Sequence, residues 1–302
     1  MSDNLRGALL MMLAMALFRV NETCTKLMAG EMPLAQIITL RGLVITGGTF
    51  LIAWRMRLLA LRLTPRLWAM LTVRVGAEVG AAWFYLQALF NMPLANVTAI
   101  AQSAPLLLSL AAAVFLREPL GWRRLSAIML GLFGVLIIAR PGPDGFDAFA
   151  IYALISVVIG LVRDLVTRSM PATVSTVTVA LLTVGGVTLA FAIGGLFDGQ
   201  AWVSVSGRDM ALLGTAGVAS LFAFLGSITA MRTGEIAFVS AFRYTGLIWA
   251  LVIGLLVFGD WPGWITLAGA GIVVASGLFT IYRERQLGLG KVTASAQNRP
   301  PH

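Results

Sequence analysis

Long apolar runs dominate this chain, and each is about 20 residues long, the length that a helix needs to cross the hydrocarbon of a bilayer. Backbone N–H and C=O groups find no water in that hydrocarbon, so only helices or a closed β-barrel can span it. The runs do not alternate between polar and apolar residues, which excludes barrel strands. The sequence therefore predicts an all-α integral membrane protein.

Ten transmembrane helices are predicted, and most of the loops between them are short. Composition agrees with this interpretation, because 59% of the residues are hydrophobic and 12% are charged, whereas a soluble domain carries about 25% charged residues. The predicted spans are 5–29, 34–54, 66–89, 93–116, 122–139, 147–168, 174–196, 209–231, 235–257 and 262–281.

Lysine and arginine are distributed unequally between the two sets of loops. With ten spans, fourteen of the 22 lie in loops or near span ends on the side of the N-terminus, three lie so on the other side, and five lie deeper within spans. Positive residues favour the cytoplasmic side, so both termini are predicted to be cytoplasmic in a bacterial inner membrane. This pattern accounts for the net charge of +9 without a nucleic-acid partner. The polar segment 283–302 is predicted to be a disordered cytoplasmic tail.

The two halves of the chain repeat each other. At an offset of 142 residues, ANVTA at 95–99 matches AFVSA at 237–241, and EPLGW at 118–122 matches DWPGW at 260–264. An offset of 144 aligns Arg19 with Arg163. Each repeat holds five spans, an odd number, so the halves at 5–139 and 147–281 are predicted to be inverted relative to each other. Such repeats are typical of alternating-access carriers.

These features resemble the EamA-type members of the drug/metabolite transporter superfamily. The resemblance rests on the five-plus-five repeat, the helix-end acids Glu118 and Asp260, the glycine-bearing fifth and tenth spans, and the stretches PLANVTAI at 93–100 and FRYT at 242–245. It covers about residues 5–285. It implies export of amino acids or other metabolites, as by YddG-like aromatic amino-acid exporters, through a cavity walled by spans 1–4 and 6–9. Arg117 departs from the glycine that many members carry before the acid.

Charged side chains within spans are the first candidates for a substrate site, because charge in the hydrocarbon is costly and usually functional. Arg19 and Glu22 share a helix face and either clamp a zwitterionic substrate or pair with each other. Glu78 is a candidate for amine binding or proton coupling, unless it forms a local pair with Arg74. Arg163 is the repeat equivalent of Arg19.

Polar residues in the fourth and ninth spans form a second candidate group. Thr98 and Gln102 are four residues apart, and their equivalents Ser240 and Tyr244 keep that spacing. Arg243 adjoins the second pair and could hold a substrate carboxylate through its two-pronged guanidinium. For Thr98 and Ser240, hydrogen bonding between helices is the favoured role. The predicted substrate-binding residues are Arg19, Glu22, Glu78, Tyr85, Gln102, Arg163, Arg243 and Tyr244.

Other kinds of site find no support in the sequence. It has no nucleotide-binding loop and no metal motif, and its sole histidine is His302. We therefore expect no cofactor, metal or catalytic residue, and a small-molecule substrate as the partner besides lipid. A membrane-embedded enzyme acting on a lipid-linked substrate, and an importer of a vitamin or nucleotide-like compound, remain alternatives. Small residues at Ala127/Gly131 and Gly271/Ala275 suit close helix packing or a homodimer contact.

Overall fold

Helices are the regular elements throughout residues 3–57, 64–115, 121–139, 148–171, 174–233 and 236–286, the part of the chain that the computed structural model describes. This confirms the all-α prediction. The helices are α1 (Asp3–Leu27), α2 (Leu34–Arg55), α3 (Pro65–Asn91), α4 (Leu94–Ala101), α5 (Ala104–Phe115), α6 (Trp122–Ala139), α7 (Ala148–Arg168), α8 (Thr176–Gly194), α9 (Gly207–Thr233), α10 (Ile236–Ala241), a 3₁₀-helix (Phe242–Tyr244), α11 (Thr245–Phe258) and α12 (Trp264–Gln286).

The predicted spans coincide with these helices, α4 and α5 together forming the fourth and α10, the 3₁₀-helix and α11 the ninth. Apart from the end of α12, each predicted boundary lies within two residues of a helix end. Helix α12 continues to Gln286, so residues 283–286 are helical and not part of the predicted tail; residues 287–302 lie outside the described part. So do Arg117 and Glu118.

Eight helices in the described residues are long and apolar enough to cross a membrane, and Leu125–Ala139 is a shorter apolar helix. Helix α3 is not among the eight, because Arg66, Arg74 and Glu78 lower its hydropathy. The chain is thus a multi-pass membrane protein, while the count of ten crossings stays a prediction.

The main helix contacts pair one half of the chain with the other. Helix α1 packs on α9 and α3 on α7, while α2 packs on α8 and α6 on α12. The predicted repeat makes α1 equivalent to α7 and α3 equivalent to α9. Exchanging the halves therefore converts the α1–α9 contact into the α7–α3 contact and leaves the other two contacts unchanged.

Helices α6 and α12 approach so closely that two glycines are needed. A Cβ on Gly134 would lie 2.8 Å from the carbonyl oxygen of Gly269, and a Cβ on Gly269 would lie 2.7 Å from that of Gly134. The sequence prediction placed this packing elsewhere. Gly131 does contact Ser276 on α12, but a Cβ on Gly271 would meet nothing within 4 Å.

The segment between α8 and α9 is fixed to α2 by one buried side chain. Gln36 donates from Nε2 to the Val203 carbonyl at 2.7 Å, and its Oε1 accepts from the Val203 N–H at 3.0 Å. Ser206 and Asp209 then cap α9, since each side chain bonds the backbone N–H of the other residue. These bonds hold the longest predicted loop against the bundle.

Candidate functional site

The first of two charged clusters, here the Arg19 cluster, consists of Arg19, Glu22, Arg41, Tyr85 and Thr98. Arg19 Nη1 forms a salt bridge of 2.5 Å with Glu22 Oε2 on the same helix. It also donates to Thr98 Oγ1 on α4 at 2.7 Å, the interhelical role expected for Thr98. Tyr85 on α3 is a hydrogen-bonding neighbour of Glu22 and Arg19. Of the two interpretations open for Arg19 and Glu22, the structure has them paired.

Arg41 on α2 belongs to this cluster although it was absent from the predicted site. Its Nη1 donates to Asn21 Oδ1 at 3.0 Å and to Thr25 Oγ1 at 3.1 Å, and Glu22 is its charged neighbour. An arginine inside an apolar span is itself a signal of function. A search for pairs spaced along one helix passes over Arg41, because its partners lie on another helix.

The second cluster, here the Arg163 cluster, consists of Arg74, Glu78, Arg163, Asp164 and Thr167. Arg163 Nη1 lies 3.3 Å from Glu78 Oε1 across the α3–α7 contact, and its Nε lies 2.8 Å from Asp164 Oδ1. Arg74 Nη1 donates to Thr167 Oγ1 at 2.9 Å. The structure thus brings the predicted residues Glu78 and Arg163 together.

Two pairings in the Arg163 cluster were decided by the structure. Glu78 does not form its close ion pair with Arg74 on its own helix, because the long side chain of Arg163 reaches it from α7. Arg163 and Asp164 do interact, although adjacent residues on a helix point about 100° apart. The flexible arginine side chain curves back to the neighbouring carboxylate.

The two clusters lie toward opposite ends of the bundle. Lys26, at the end of α1, donates to the carbonyl of Met92 just after α3, so α1 and α3 run in the same direction. Arg74 lies early in α3 and contacts Thr167, late in α7, so α3 and α7 run in opposite directions. Helices α1 and α7 are therefore antiparallel. Since Arg19 and Arg163 both fall in the last third of their helices, they are near opposite ends.

The clusters also differ in access. The Arg19 and Glu22 side chains are 12% and 11% exposed, whereas those of Arg163 and Glu78 are 30% and 29% exposed. Residues 21–23 are buried, but their repeat equivalents 165–167 are not. Charged groups inside a membrane protein face a partner or a water-filled cavity. The bundle is thus closed around the Arg19 cluster and more open around the Arg163 cluster.

Both the fourth and the ninth span are interrupted, and at equivalent positions. Helix α4 ends at Ala101 and α5 begins at Ala104, while the 3₁₀-helix Phe242–Tyr244 separates α10 from α11. At the break, Gln102 Nε2 donates to the carbonyl oxygen of Arg243 at 3.0 Å. Discontinuous helices near the membrane centre commonly form the substrate sites of secondary carriers.

Arg243 is the predicted residue whose side chain remains available to a ligand. The residue is exposed and lies on the 3₁₀-helix between α10 and α11. Within the described residues its guanidinium makes no hydrogen bond or salt bridge. Asp164 is the carboxylate that attracts it most strongly. An accessible guanidinium without a carboxylate partner is well suited to bind an anionic group.

Tyr244 was predicted to face the substrate, and the structure contradicts this. The residue is 5% exposed, and its hydroxyl points at α12, where a Cβ on Gly277 would lie 1.7 Å from Oη. Arg243 and Tyr244 belong to the 3₁₀-helix, which turns about 120° per residue instead of 100°. The four-residue spacing from Ser240 therefore does not keep Tyr244 on the same face.

Comparison with known proteins agrees with this architecture, since residues 5–140 match the EamA-like transporter family. The chain is 27% identical over 273 residues to the pseudopaline exporter CntI of Pseudomonas aeruginosa, covering 89% of this chain and 94% of that one. It is 29% identical over 233 residues to a riboflavin transporter of Rhizobium johnstonii, covering 76% and 75%.

A third relative is an S-adenosylmethionine uptake transporter of Rickettsia felis, 24% identical over 208 residues and covering 68% of each chain. One solved structure, titled "Crystal structure of protein", matches with a TM-score of 0.67 and 19% identity over 93% of this chain and 98% of that one. This likeness supports the fold alone. All three named relatives are transporters.

Proposed function

We propose that the chain is a secondary transporter that exports amino acids or related small metabolites across the bacterial inner membrane by alternating access. In this proposal residues 5–139 and 147–281 are two inverted repeats, and both termini are cytoplasmic. Exchange of the two halves' conformations would close one end of the bundle and open the other.

The Arg19 and Arg163 clusters occupy equivalent places in the predicted repeats but differ in exposure, which supports alternating access. The helix contacts keep the same pattern when the halves are exchanged, and α1 and α7 are antiparallel. The Arg19 cluster is nevertheless closed, and the Arg163 cluster is more exposed. A carrier caught in one of two exchangeable states has this combination of symmetric contacts and asymmetric access. With both termini cytoplasmic, as proposed from the charge count, the more open end would face the cytoplasm.

The proposed substrate class rests on Arg243. The residue is exposed at the break in the ninth span, and its guanidinium lacks an ion pair within the described residues. A substrate carboxylate would supply the missing counter-charge and would accept two hydrogen bonds from the guanidinium. Amino acids and other carboxylated metabolites have this group.

The substrate class and the direction can be tested with bacterial membrane vesicles containing the full chain and energised by respiration. Labelled amino acids form the main arm, with riboflavin and S-adenosylmethionine as further arms. We expect inverted vesicles to accumulate at least one amino acid, as an exporter requires. Accumulation in right-side-out vesicles alone would show import, and failure of every carboxylated solute would overturn the substrate class.

Glu78 is the proposed proton-coupling carboxylate, because it is half-buried and its ion pair crosses between the halves. Glu78→Gln imitates the protonated form permanently, so we expect transport to proceed at equal rates with and without a pH gradient. The measurement compares initial transport rates in proteoliposomes with and without a pH gradient. Glu31→Gln is the control, because Glu31 pairs with Arg208 on the exposed surface. A gradient response like that of the unmodified protein would remove Glu78 from this role.

A further inference from the structure

The Arg41 side chain is partly buried and lies against α1. Its two hydrogen bonds, to Asn21 Oδ1 and Thr25 Oγ1, go to oxygens without formal charge. Its Nε is buried and has no hydrogen-bond partner among the residues described. The proposed export function assigns this side chain no task.

The Arg19 cluster as a whole carries one positive charge too many. Arg19 and Arg41 contribute two guanidinium charges, and Glu22 is their carboxylate. Glu22 is engaged by Arg19 at 2.5 Å, which leaves the charge of Arg41 without its own counter-ion in the described structure. Arginine does not lose its proton in proteins, so the cluster cannot become neutral by deprotonation.

Packing alone does not require this charge. A neutral side chain with N–H donors could bond Asn21 and Thr25 equally well, and even partial burial of an ion without a counter-ion of its own is unfavourable. A position that retains such a charge is better explained by a ligand that neutralises it. Positions of this kind trade stability for function.

We propose that Arg41, together with Arg19, forms an anion subsite that takes a carboxylate of the transported solute when this end of the bundle opens. The inference rests on the proposed transport function and deepens it, since it assigns a second binding step beyond Arg243. The closed state buries the subsite; the more open surroundings of the equivalent Arg163 cluster indicate how it becomes accessible after the halves exchange. A carboxylate bound there would stabilise that second state.

Thermal unfolding of the purified full chain in detergent tests the subsite without depending on transport. Sodium chloride is replaced stepwise by sodium acetate or sodium glutamate at constant ionic strength. We expect glutamate to raise the Tm of the unmodified protein by about 3 °C at concentrations some tenfold above its Kd. Arg41→Gln should abolish this rise while leaving the Tm in chloride unchanged or higher, because the excess charge is gone.

Two further variants give this test its controls. Glu22→Gln raises the charge of the cluster, so it should lower the Tm in chloride and enlarge the rise with glutamate. Arg55→Gln alters an exposed arginine at the end of the same helix as Arg41, and should keep the full response.

Several results would overturn the subsite. One is a lower Tm or failure to fold for Arg41→Gln. Another is an unchanged glutamate response in that variant. The third is an unmodified protein whose Tm is the same in chloride and in carboxylate salts. Arg243 is not altered in any of these variants, and no transport is measured. A failed transport assay therefore leaves the thermal result standing, and the reverse also holds.

Discussion

Gly269→Ala is expected to lower the free energy of unfolding by about 1–3 kcal/mol, the usual cost of overpacking a tight interface. The new Cβ would lie 2.7 Å from the Gly134 carbonyl oxygen and 2.8 Å from Ile138 Cγ1. A backbone oxygen within a helix cannot rotate away, so α6 and α12 must separate and lose contacts along their length. Thermal unfolding in detergent or nanodiscs measures the effect.

Gly271→Ala is the matched control, since Gly271 is on the same helix and a Cβ there meets nothing within 4 Å. Alanine is a better helix former than glycine, so this variant should gain about 0.5–1 kcal/mol. The two substitutions are chemically identical and two residues apart, yet their effects should have opposite signs. Equal effects would show that α6 and α12 do not approach as closely as described.

Arg243→Gln is expected to weaken transport of the carboxylated substrate by about ten- to a hundredfold in apparent affinity. This range corresponds to the loss of hydrogen bonds to a charged group, about 1.5–3 kcal/mol. The folded state should be little affected, because Arg243 has no ion pair within the described residues. Initial rates over a range of substrate concentrations, measured beside the Tm, separate binding from folding.

Arg243→Lys refines this prediction. Lysine keeps the positive charge but offers a single ammonium in place of the planar fork, so we expect an intermediate loss. Arg55→Gln, at an exposed position, should transport normally. Unchanged kinetics in Arg243→Gln would contradict the assignment of Arg243 as the carboxylate site.

The positions of the helices were predictable because burial in lipid acts on each segment separately. A run of about 20 apolar residues must become a helix whatever its neighbours are. The predicted fourth span therefore covers the same residues as α4 and α5. The interruption at Gln102 was not predicted, since this stretch has the composition of a continuous apolar helix.

Partners of the charged residues could be predicted only where both lie on one helix. Arg19 and Glu22 are three residues apart, and the structure pairs them. Glu78 has an arginine four residues away on its own helix, but its ion pair is with Arg163. Arginine side chains reach across helix interfaces, so the nearest charge in space need not be the nearest in sequence.

The sequence by itself determined the helical segments and the set of charged residues that must be accommodated inside the bundle, and it predicts the repeat. These depend on local hydrophobicity and on spacing along one chain. Tertiary structure decided which charges meet, that Arg41 joins Arg19 and Glu22, and that Tyr244 turns toward Gly277 while Arg243 stays accessible. Those outcomes depend on distances between helices and on the rotation of a 3₁₀ turn. Only the assembled bundle fixes these quantities.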